Sequence, residues 1–154
     1  MANSARDVAR RVLVRVERDQ AFASAVLDEE LSAAKLEPRD RALATEHTYG
    51  VLRYRSRLDR AVAAYAQRGI GRARPIVKAA LRVAAYQILF LERVSDHAAV
   101  NDAAESVRRR GRAISGFVNG LLRSLVRGGE PALPEAGASP AESAAETYAM
   151  PAPI

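Results

Sequence analysis

Cysteine is absent from this sequence of 154 residues. That absence excludes disulfides, thiolate metal sites and cysteine nucleophiles from the chain. Histidine is nearly absent too: His47 and His97 are the only two, and distant imidazoles without a cysteine make a poor metal site. No glycine-rich cofactor loop follows a strand pattern, and no strand pattern is visible. The sequence therefore predicts neither a metal site nor a cofactor, and no catalytic residue stands out.

Targeting and membrane signals are lacking as well. The N-terminus, M-A-N-S-A-R-D-V, has no continuous apolar region of the kind found in signal peptides, so we expect a cytoplasmic protein. The most apolar stretch, residues 75–91, is too short and too charged to span a bilayer comfortably. We therefore expect no contact with membranes.

Basic charge is plentiful but unevenly placed. Residues 1–128 hold 24 basic and 14 acidic side chains, a net charge of +10, and only two of the basic residues are lysine. Arginine offers a planar fork for phosphate and can stack on bases, so a cationic domain of this kind suggests a nucleic-acid partner. The alternative is a GC-rich genome that places arginine wherever a surface cation is tolerated.

The C-terminal segment has the opposite charge. From Gly129 onward the chain contains four glutamates and no lysine or arginine, with five prolines among its last 24 residues. Such a segment has too little apolar surface to order itself. We therefore predict two parts, a folded domain over residues 1–128 and a disordered Pro/Ala/Glu-rich tail over residues 129–154.

An all-α fold is predicted around the stretch 75–91, P-I-V-K-A-A-L-R-V-A-A-Y-Q-I-L-F-L. Its two charges, Lys78 and Arg82, share one narrow strip, and a helix without a broad polar face is usually buried on several sides. Pro75 suits a first helical turn. The remaining periodic segments predict helices that pack around this one, at residues 4–18, 23–36, 39–67, 97–110 and 115–127. Gly50 interrupts the third of these, which a close backbone contact or a bend would explain.

Three blocks resemble the NusB/RsmB domain family. They are E-H-T-Y-G-V-L-R-Y-R-S-R-L-D at 46–59, L-R-V-A-A-Y-Q-I-L-F-L-E-R-V-S-D-H-A-A-V-N-D-A-A-E at 81–105, and G-F-V-N-G-L-L-R at 116–123. The resemblance covers about residues 4 to 127 and lies nearest to the N-terminal domain of RsmB-type 16S rRNA 5-methylcytosine methyltransferases. It implies a compact bundle of about seven helices. It also implies a non-catalytic module that binds single-stranded RNA or rRNA, in rRNA maturation or transcription antitermination.

Two basic clusters are the candidate RNA-binding sites. The first lies on the N-terminal helix, the region that contacts RNA in NusB, and the second combines a loop with two helix ends. Tyr49 or Tyr54 could stack a base if exposed. The alternative for the first cluster is a solvated face that nearby acids partly neutralise. The candidate RNA-binding residues are Arg6, Arg10, Arg11, Arg15, Arg53, Arg55, Arg72, Arg74, Lys78 and Arg82.

Catalysis and docking are the remaining questions. Transfer of a methyl group to cytosine C5 in the resembling enzymes uses cysteine thiolates, so this chain cannot perform that chemistry alone. His47 lies on the inward side of its helix and is expected to be a core residue. The second hypothesis is a docking module, because the resemblance implies ribosomal protein S10 (NusE) or a methyltransferase domain as partner. The third is a truncated N-terminal domain of an rRNA cytosine-C5 methyltransferase.

Overall fold

The computed structural model describes residues 3–132, and this part of the chain contains seven α-helices and no strand. The predicted all-α class and helix number are confirmed. No helix in the described range is both long and apolar enough to cross a membrane. The helices are α1 (Ala5–Asp19), α2 (Ala23–Ala34), α3 (Pro38–Arg53), α4 (Arg55–Ala63), α5 (Pro75–Phe90), α6 (Asp96–Ser106) and α7 (Arg112–Gly128).

Helix α5 is the centre of the bundle, as its composition predicts. It packs against α1, α3, α4, α6 and α7. Ten of its sixteen residues are buried, including a run from Ala79 to Gln87. The small side chains at Ala80 and Ala85 are fully buried, so neighbouring helices lie close to the α5 backbone on more than one side. Pro75 occupies the first helical turn and leaves no backbone donor unsatisfied there.

Helix α1 belongs to two hydrophobic clusters at once. Ala9 and Leu13 join the main core around α5, whereas Val8 and Val12 face a smaller cluster formed with α2 and α3. The helix begins at Ser4, whose hydroxyl accepts from the Asp7 N–H at 3.1 Å while the Asp7 carboxylate accepts from the Ser4 N–H at 3.0 Å. This reciprocal capping satisfies donors that a helix start otherwise leaves unpaired.

The prediction of one long helix over residues 39–67 is wrong, because the chain forms two helices there, α3 and α4. The break falls at Tyr54 and not at Gly50, and the backbone of Tyr54 leaves the helical region. The proposed close contact at Gly50 is confirmed. A Cβ atom at this position would lie 2.3 Å from Cζ of Tyr86, so only glycine lets α3 approach α5 over the tyrosine ring.

The connection between α6 and α7 also differs from the prediction. Ser95 caps α6, with its hydroxyl accepting from the Ala98 N–H at 3.1 Å. After α6, Arg108–Arg110 form a short 3-10 turn that ends at Gly111, where φ is +113°. Helix α7 then begins at Arg112, three residues before the range 115–127 predicted for it. Ser115 lies inside its first turns and donates to the Ala104 carbonyl at 2.9 Å.

The chain after α7 returns to the side of the bundle formed by α4. Tyr65 donates to the Gly129 carbonyl at 2.6 Å, and Arg57 holds the carboxylate of Glu130 through two hydrogen bonds. Arg60 also donates to the carbonyl of Ala132. The first four residues of the predicted tail are thus placed against α4. The disorder predicted for residues 133–154 lies outside the described residues.

Candidate nucleic-acid interface

Arg10 is the most enclosed of the candidate RNA-binding residues on α1. Only 6% of the residue is exposed. Its guanidinium donates to Asp7 at 2.7 Å and to Asp102 at 2.6 Å, which joins α1 to α6. Burial favours the neutral form of Asp7, but hydrogen bonds from Ser4 and Arg10 outweigh it and lower the Asp7 pKa. Arg10 therefore fastens the bundle and offers phosphate little surface.

Arg11 and Arg15 lie one turn apart on α1 and share an acid of α2. Nε of Arg11 donates to Glu30 at 2.9 Å, and Arg15 donates to Glu30 at 3.1 Å and to Glu29 at 2.7 Å. These hydrogen bonds raise the pKa of Arg15. About a third of each arginine side chain is exposed. The two residues thus present a partly neutralised surface, with guanidinium edges still open to solvent.

Arg6, the fourth candidate on α1, faces another direction. Its Nη1 donates to Oε1 of Gln87 at 3.2 Å, and its Nε lies 3.5 Å from Asp102. Arg6 and Arg10 lie one turn apart on α1 and share the carboxylate of Asp102. About a third of the Arg6 side chain is exposed.

The second predicted cluster separates into a paired part and an open part. Arg82 is 6% exposed, and it donates to both carboxylate oxygens of Asp59, at 2.7 and 3.0 Å. Lys78 donates to Glu17 at 3.3 Å, while Arg82 and Arg55 lie 3.6 and 3.8 Å from the same oxygen. The other Glu17 oxygen is buried without a hydrogen-bond partner. This paired part, which we call the Glu17 hub, connects α1, α4 and α5.

The open part consists of Arg53, Arg72 and Arg74. All three are exposed, and none forms a salt bridge within residues 3–132. The Arg53 guanidinium lies 5.4 Å from the ring centroid of Tyr54. That tyrosine is itself stacked on Phe90 at 4.4 Å and is not free to stack a base, whereas Tyr49 is 44% exposed. Cations without a carboxylate partner bind phosphate without first breaking an ion pair.

A groove runs along α1 between α2, the start of α5 and the end of α6. Two adjoining concavities of about 310 and 740 Å³ form it, and they share Asp7, Arg10, Arg11, Ile76 and Ser106. Six arginines and four acids line the two together. The groove-lining arginines are Arg10, Arg11, Arg15, Arg18, Arg108 and Arg109. We call this feature the α1 groove.

Arg108 and Arg109 are the residues that sequence reasoning missed. They belong to the run R-R-R-G-R at residues 108–112, where the helix predicted over residues 97–110 ends. The 3-10 turn instead places these side chains at the wall of the α1 groove, and both are exposed. Arg108 forms an exposed pair with Glu105 at 3.2 Å, an interaction of little strength. The sequence signal that could have identified them is a run of three arginines directly before Gly111, between two predicted helices.

The described residues contain no ready-made metal site. No group of three or more His, Asp or Glu side chains is placed to hold a metal ion. His47 is 1% exposed and is a core residue, as predicted, and His97 contacts Asn101 on the outside of α6. What the arrangement offers is a grooved, arginine-rich surface that suits a chain of phosphates.

Comparison with known proteins identifies the family. The model of the NusB family matches residues 3–127, which is nearly the whole described range. The chain belongs to the NusB family. The resemblance noted in the three sequence blocks is thereby confirmed.

Relatives of this NusB-family chain fall into two groups. It is 35% identical over 129 residues to the Bacillus subtilis protein named "Probable ribosomal RNA small subunit methyltransferase B", covering 83% of this chain and 29% of that protein. It is 29% identical to the transcription antitermination protein NusB of Syntrophomonas wolfei, covering 79% of this chain and 92% of the relative. The chain thus spans less than a third of the methyltransferase relative, and most of the NusB relative.

A solved structure shares the fold. A chain in the crystal structure of a plectonemic RNA supercoil superposes with a TM-score of 0.74 at 20% identity, covering 80% of this chain and 92% of that one. At this identity the likeness establishes the architecture alone. The family assignment therefore rests on the sequence match, and the solved structure shows that the same architecture occurs in another protein.

Proposed function

We propose that this NusB-family chain is a non-catalytic RNA-binding module of the NusB/RsmB type. It acts in rRNA maturation or in transcription antitermination, in the cytoplasm. The observation that carries the proposal is the α1 groove, in which arginines of α1 and of the 3-10 turn face one another. A groove of that kind follows a single strand along its phosphates, and family membership supplies the biological context.

The groove and the exposed loop have different parts in binding. Arg109 is exposed and meets phosphate directly, as do Arg53, Arg72 and Arg74 at the other cluster, whereas Arg108 first gives up its exposed pair with Glu105. Arg11 and Arg15 bind phosphate only after their ion pairs with Glu30 and Glu29 are broken. The loss of these pairs offsets part of the free energy gained from the phosphate contact. Arg10, Lys78 and Arg82 form ion pairs that join helices, and we leave them out of the proposed RNA contacts. Arg6 and Arg55 are more exposed, and we place them at the periphery of the proposed RNA-contacting surface.

Salt dependence of RNA binding tests the proposal. Affinity for a short single-stranded RNA should fall with salt, with a log–log slope of roughly −0.7 per phosphate neutralised. Arg109→Ala should make that slope shallower by about 0.7 and weaken binding at low salt. Arg123→Ala is the matched control, since Arg123 is exposed on α7 and does not line the groove. Salt-independent binding, or equal losses in both variants, would count against the groove.

Docking to a protein is the second candidate, and α7 provides the observation that favours it. Phe117 is 44% exposed, and Gly116 and Gly120 beside it have nothing within 4 Å of an added Cβ. Glycine inside a helix costs about 1 kcal/mol relative to alanine, and no described neighbour requires it here. A partner that packs closely against α7 would require glycine at these positions. A methyltransferase domain fits that role, since this chain spans only 29% of its methyltransferase relative, and so does an S10-like (NusE) ribosomal protein.

A capture experiment separates the two candidates. A partner retained through ribonuclease and high salt by the unaltered chain, and lost with Phe117→Arg, supports docking through α7. Loss of all captured protein on ribonuclease treatment supports RNA as the only link. The neighbouring open reading frame decides whether the chain is a truncated N-terminal domain of a cytosine-C5 methyltransferase.

A further inference from the structure

A second concavity, of about 400 Å³, lies on the opposite edge of α1 from the groove. Two helices begin at its rim, because Ser4 and Ala5 of α1 line it together with Ser95 and Ala98 of α6. Helix starts carry partial positive charge, although the N–H groups of Ser4, Asp7 and Ala98 already donate to capping side chains. Arg6 and Arg93 add two cations, which lie 3.5 Å from Asp102 and 3.9 Å from Glu46 respectively, and Asp40 is the single acid among the lining residues. We call this feature the α1/α6 pocket.

His47 gives the α1/α6 pocket a hydrogen-bond acceptor that nothing yet uses. It lines the pocket and is 1% exposed. Its Nδ1 lies 2.9 Å from the carbonyl of Leu43, so Nδ1 must carry the proton and donate. Burial lowers the His47 pKa and keeps the ring neutral, which leaves Nε2 as a bare acceptor. No side chain in residues 3–132 donates to that nitrogen.

Within the described residues, Nε2 of His47 is an acceptor without a protein partner at the pocket wall, and it is therefore available to a ligand with an N–H or O–H donor. The charges around it call for an anion as well. Leu43, Val94 and Ala98 supply apolar wall for a flat, uncharged body. A nucleotide joins all three properties, with a phosphate, a base that bears N–H donors, and apolar base faces.

The pocket and the α1 groove are connected through one carboxylate. Asp102 lines the groove and holds Arg10 at 2.6 Å, while Arg6 of the pocket lies 3.5 Å from the same carboxylate oxygen. A strand held in the groove therefore reaches the pocket by passing over Arg6.

We propose that the α1/α6 pocket receives one nucleotide of the single strand bound in the α1 groove. Its base donates to Nε2 of His47 between the apolar walls, and its phosphate lies at the two helix starts near Arg6 and Arg93. The inference depends on the proposed function, since it names how the same RNA is held. It adds a contact to a base where the groove offers contacts to phosphates.

The test compares a short oligouridine with an abasic ribose-phosphate oligomer of the same length. Both carry the same phosphates, so only contacts to bases separate their affinities. The unaltered chain should prefer oligouridine by roughly three- to tenfold, the range expected for one added hydrogen bond. Ala98→Leu, which fills the pocket from an exposed site on α6, should abolish most of that preference and leave affinity for the abasic oligomer unchanged.

Two further variants test whether a loss of preference comes from the pocket itself or from the substitution of leucine at any exposed site. Ala33→Leu makes the same change at an exposed site of α2 outside the pocket, and it should keep the full preference. His47→Leu removes the acceptor and should reduce the preference like Ala98→Leu. Should His47→Leu fail to fold, as circular dichroism would show, Ala98→Leu still decides.

The outcomes distinguish the two proposals. Binding of both oligomers with equal affinity by the unaltered chain overturns the pocket and leaves RNA binding by the groove standing. Full retention of the preference in Ala98→Leu also overturns the pocket. Binding of neither oligomer overturns the proposed function and the pocket with it.

Discussion

At the scale of single residues, the arginines of this chain divide by their partners and not by their position in sequence. Arg10 and Arg82 have buried guanidiniums held by carboxylates from other helices, whereas Arg72 and Arg109 face solvent. The partner of Arg10 lies 92 residues away in sequence. Helical periodicity places an arginine on a face, but it does not reveal which acid another helix brings to that face. This is why the candidate list mixed binding and structural arginines.

Gly50 offers a test of the close approach between α3 and α5. Gly50→Ala gains helix propensity of about 1 kcal/mol but forces a methyl group into the Tyr86 ring, so we expect a net loss of about 1–3 kcal/mol in unfolding free energy. Gly120→Ala is the matched control, because it adds the same methyl group in open space inside α7 and should stabilise by about 0.5–1 kcal/mol. Denaturant unfolding measures both. A stabilised Gly50→Ala variant would contradict the contact.

His47 predicts a pH dependence of stability. Burial lowers its pKa below the ordinary value of 6.5, and the cations Arg6 and Arg10 act in the same direction, against the Leu43 carbonyl and Glu46. The unfolded chain therefore binds the proton more readily than the folded chain. The contribution is fully present above pH 6.5 and is lost as pH falls through and below that value.

Thermal unfolding across this range provides the measurement for His47. The midpoint should fall as the solution is made more acid than pH 6.5, and a His47→Gln variant should show a flatter profile there. The lowered pKa values of Asp7 and Glu130, caused by their hydrogen bonds, act only near and below the ordinary carboxylate values of 3.8 and 4.5. If the unaltered protein and the His47→Gln variant had identical profiles above pH 4.5, His47 would not be the source of the pH dependence.

At the scale of elements, composition predicted the buried helix well and the junctions poorly. An apolar sequence with two charges leaves α5 no stable place except the interior, so its position followed from the sequence. The break between α3 and α4 did not, because neither glycine nor proline stands at Tyr54 and the apolar pattern continues through it. Stacking of Tyr54 on Phe90, a contact across 36 positions, accompanies the turn and is invisible locally. The groove was missed for the same reason, since its second wall comes from the α6–α7 junction.

The Glu17 hub holds three elements together and can be weakened by one substitution. Glu17→Gln removes the charge that Lys78, Arg82 and Arg55 share. We expect unfolding free energy to fall by about 1–3 kcal/mol, because partly buried cations lose their counter-charge. Glu105→Gln, which breaks an exposed pair with Arg108, is the control and should cost at most about 0.5 kcal/mol. Equal costs in chemical denaturation would show that the hub contributes no more than a surface pair.

At the scale of the whole molecule, the two hydrophobic clusters are unequal. The larger one surrounds α5, and the smaller one depends on α2, whose buried residues are Val26, Leu27 and Leu31. Helix α2 packs chiefly on α1. Elements with few buried contacts open more easily than the central core.

Native-state hydrogen exchange should reveal this inequality. Amides of α5 should exchange only through global unfolding, and amides of α2 should exchange faster, through a local opening that leaves α5 protected. Leu27→Ala should accelerate exchange in α2 more than in α5, and a change of equal size in both helices would show a single cooperative unit. Protection of α2 equal to that of α5 in the unaltered chain would contradict the expected order.

Tyr65, Arg57 and Arg60 hold Gly129, Glu130 and Ala132, the last described residues of the chain, on the α4 side of the bundle. Anything joined to the chain beyond Ala132 is tethered there, beside α4, and not at the α1 groove. A tethered domain can reach only those surfaces that its linker spans, and its effective concentration is highest at surfaces near the attachment point. Fusions made at this end will accordingly favour encounters with the α4 side of the domain.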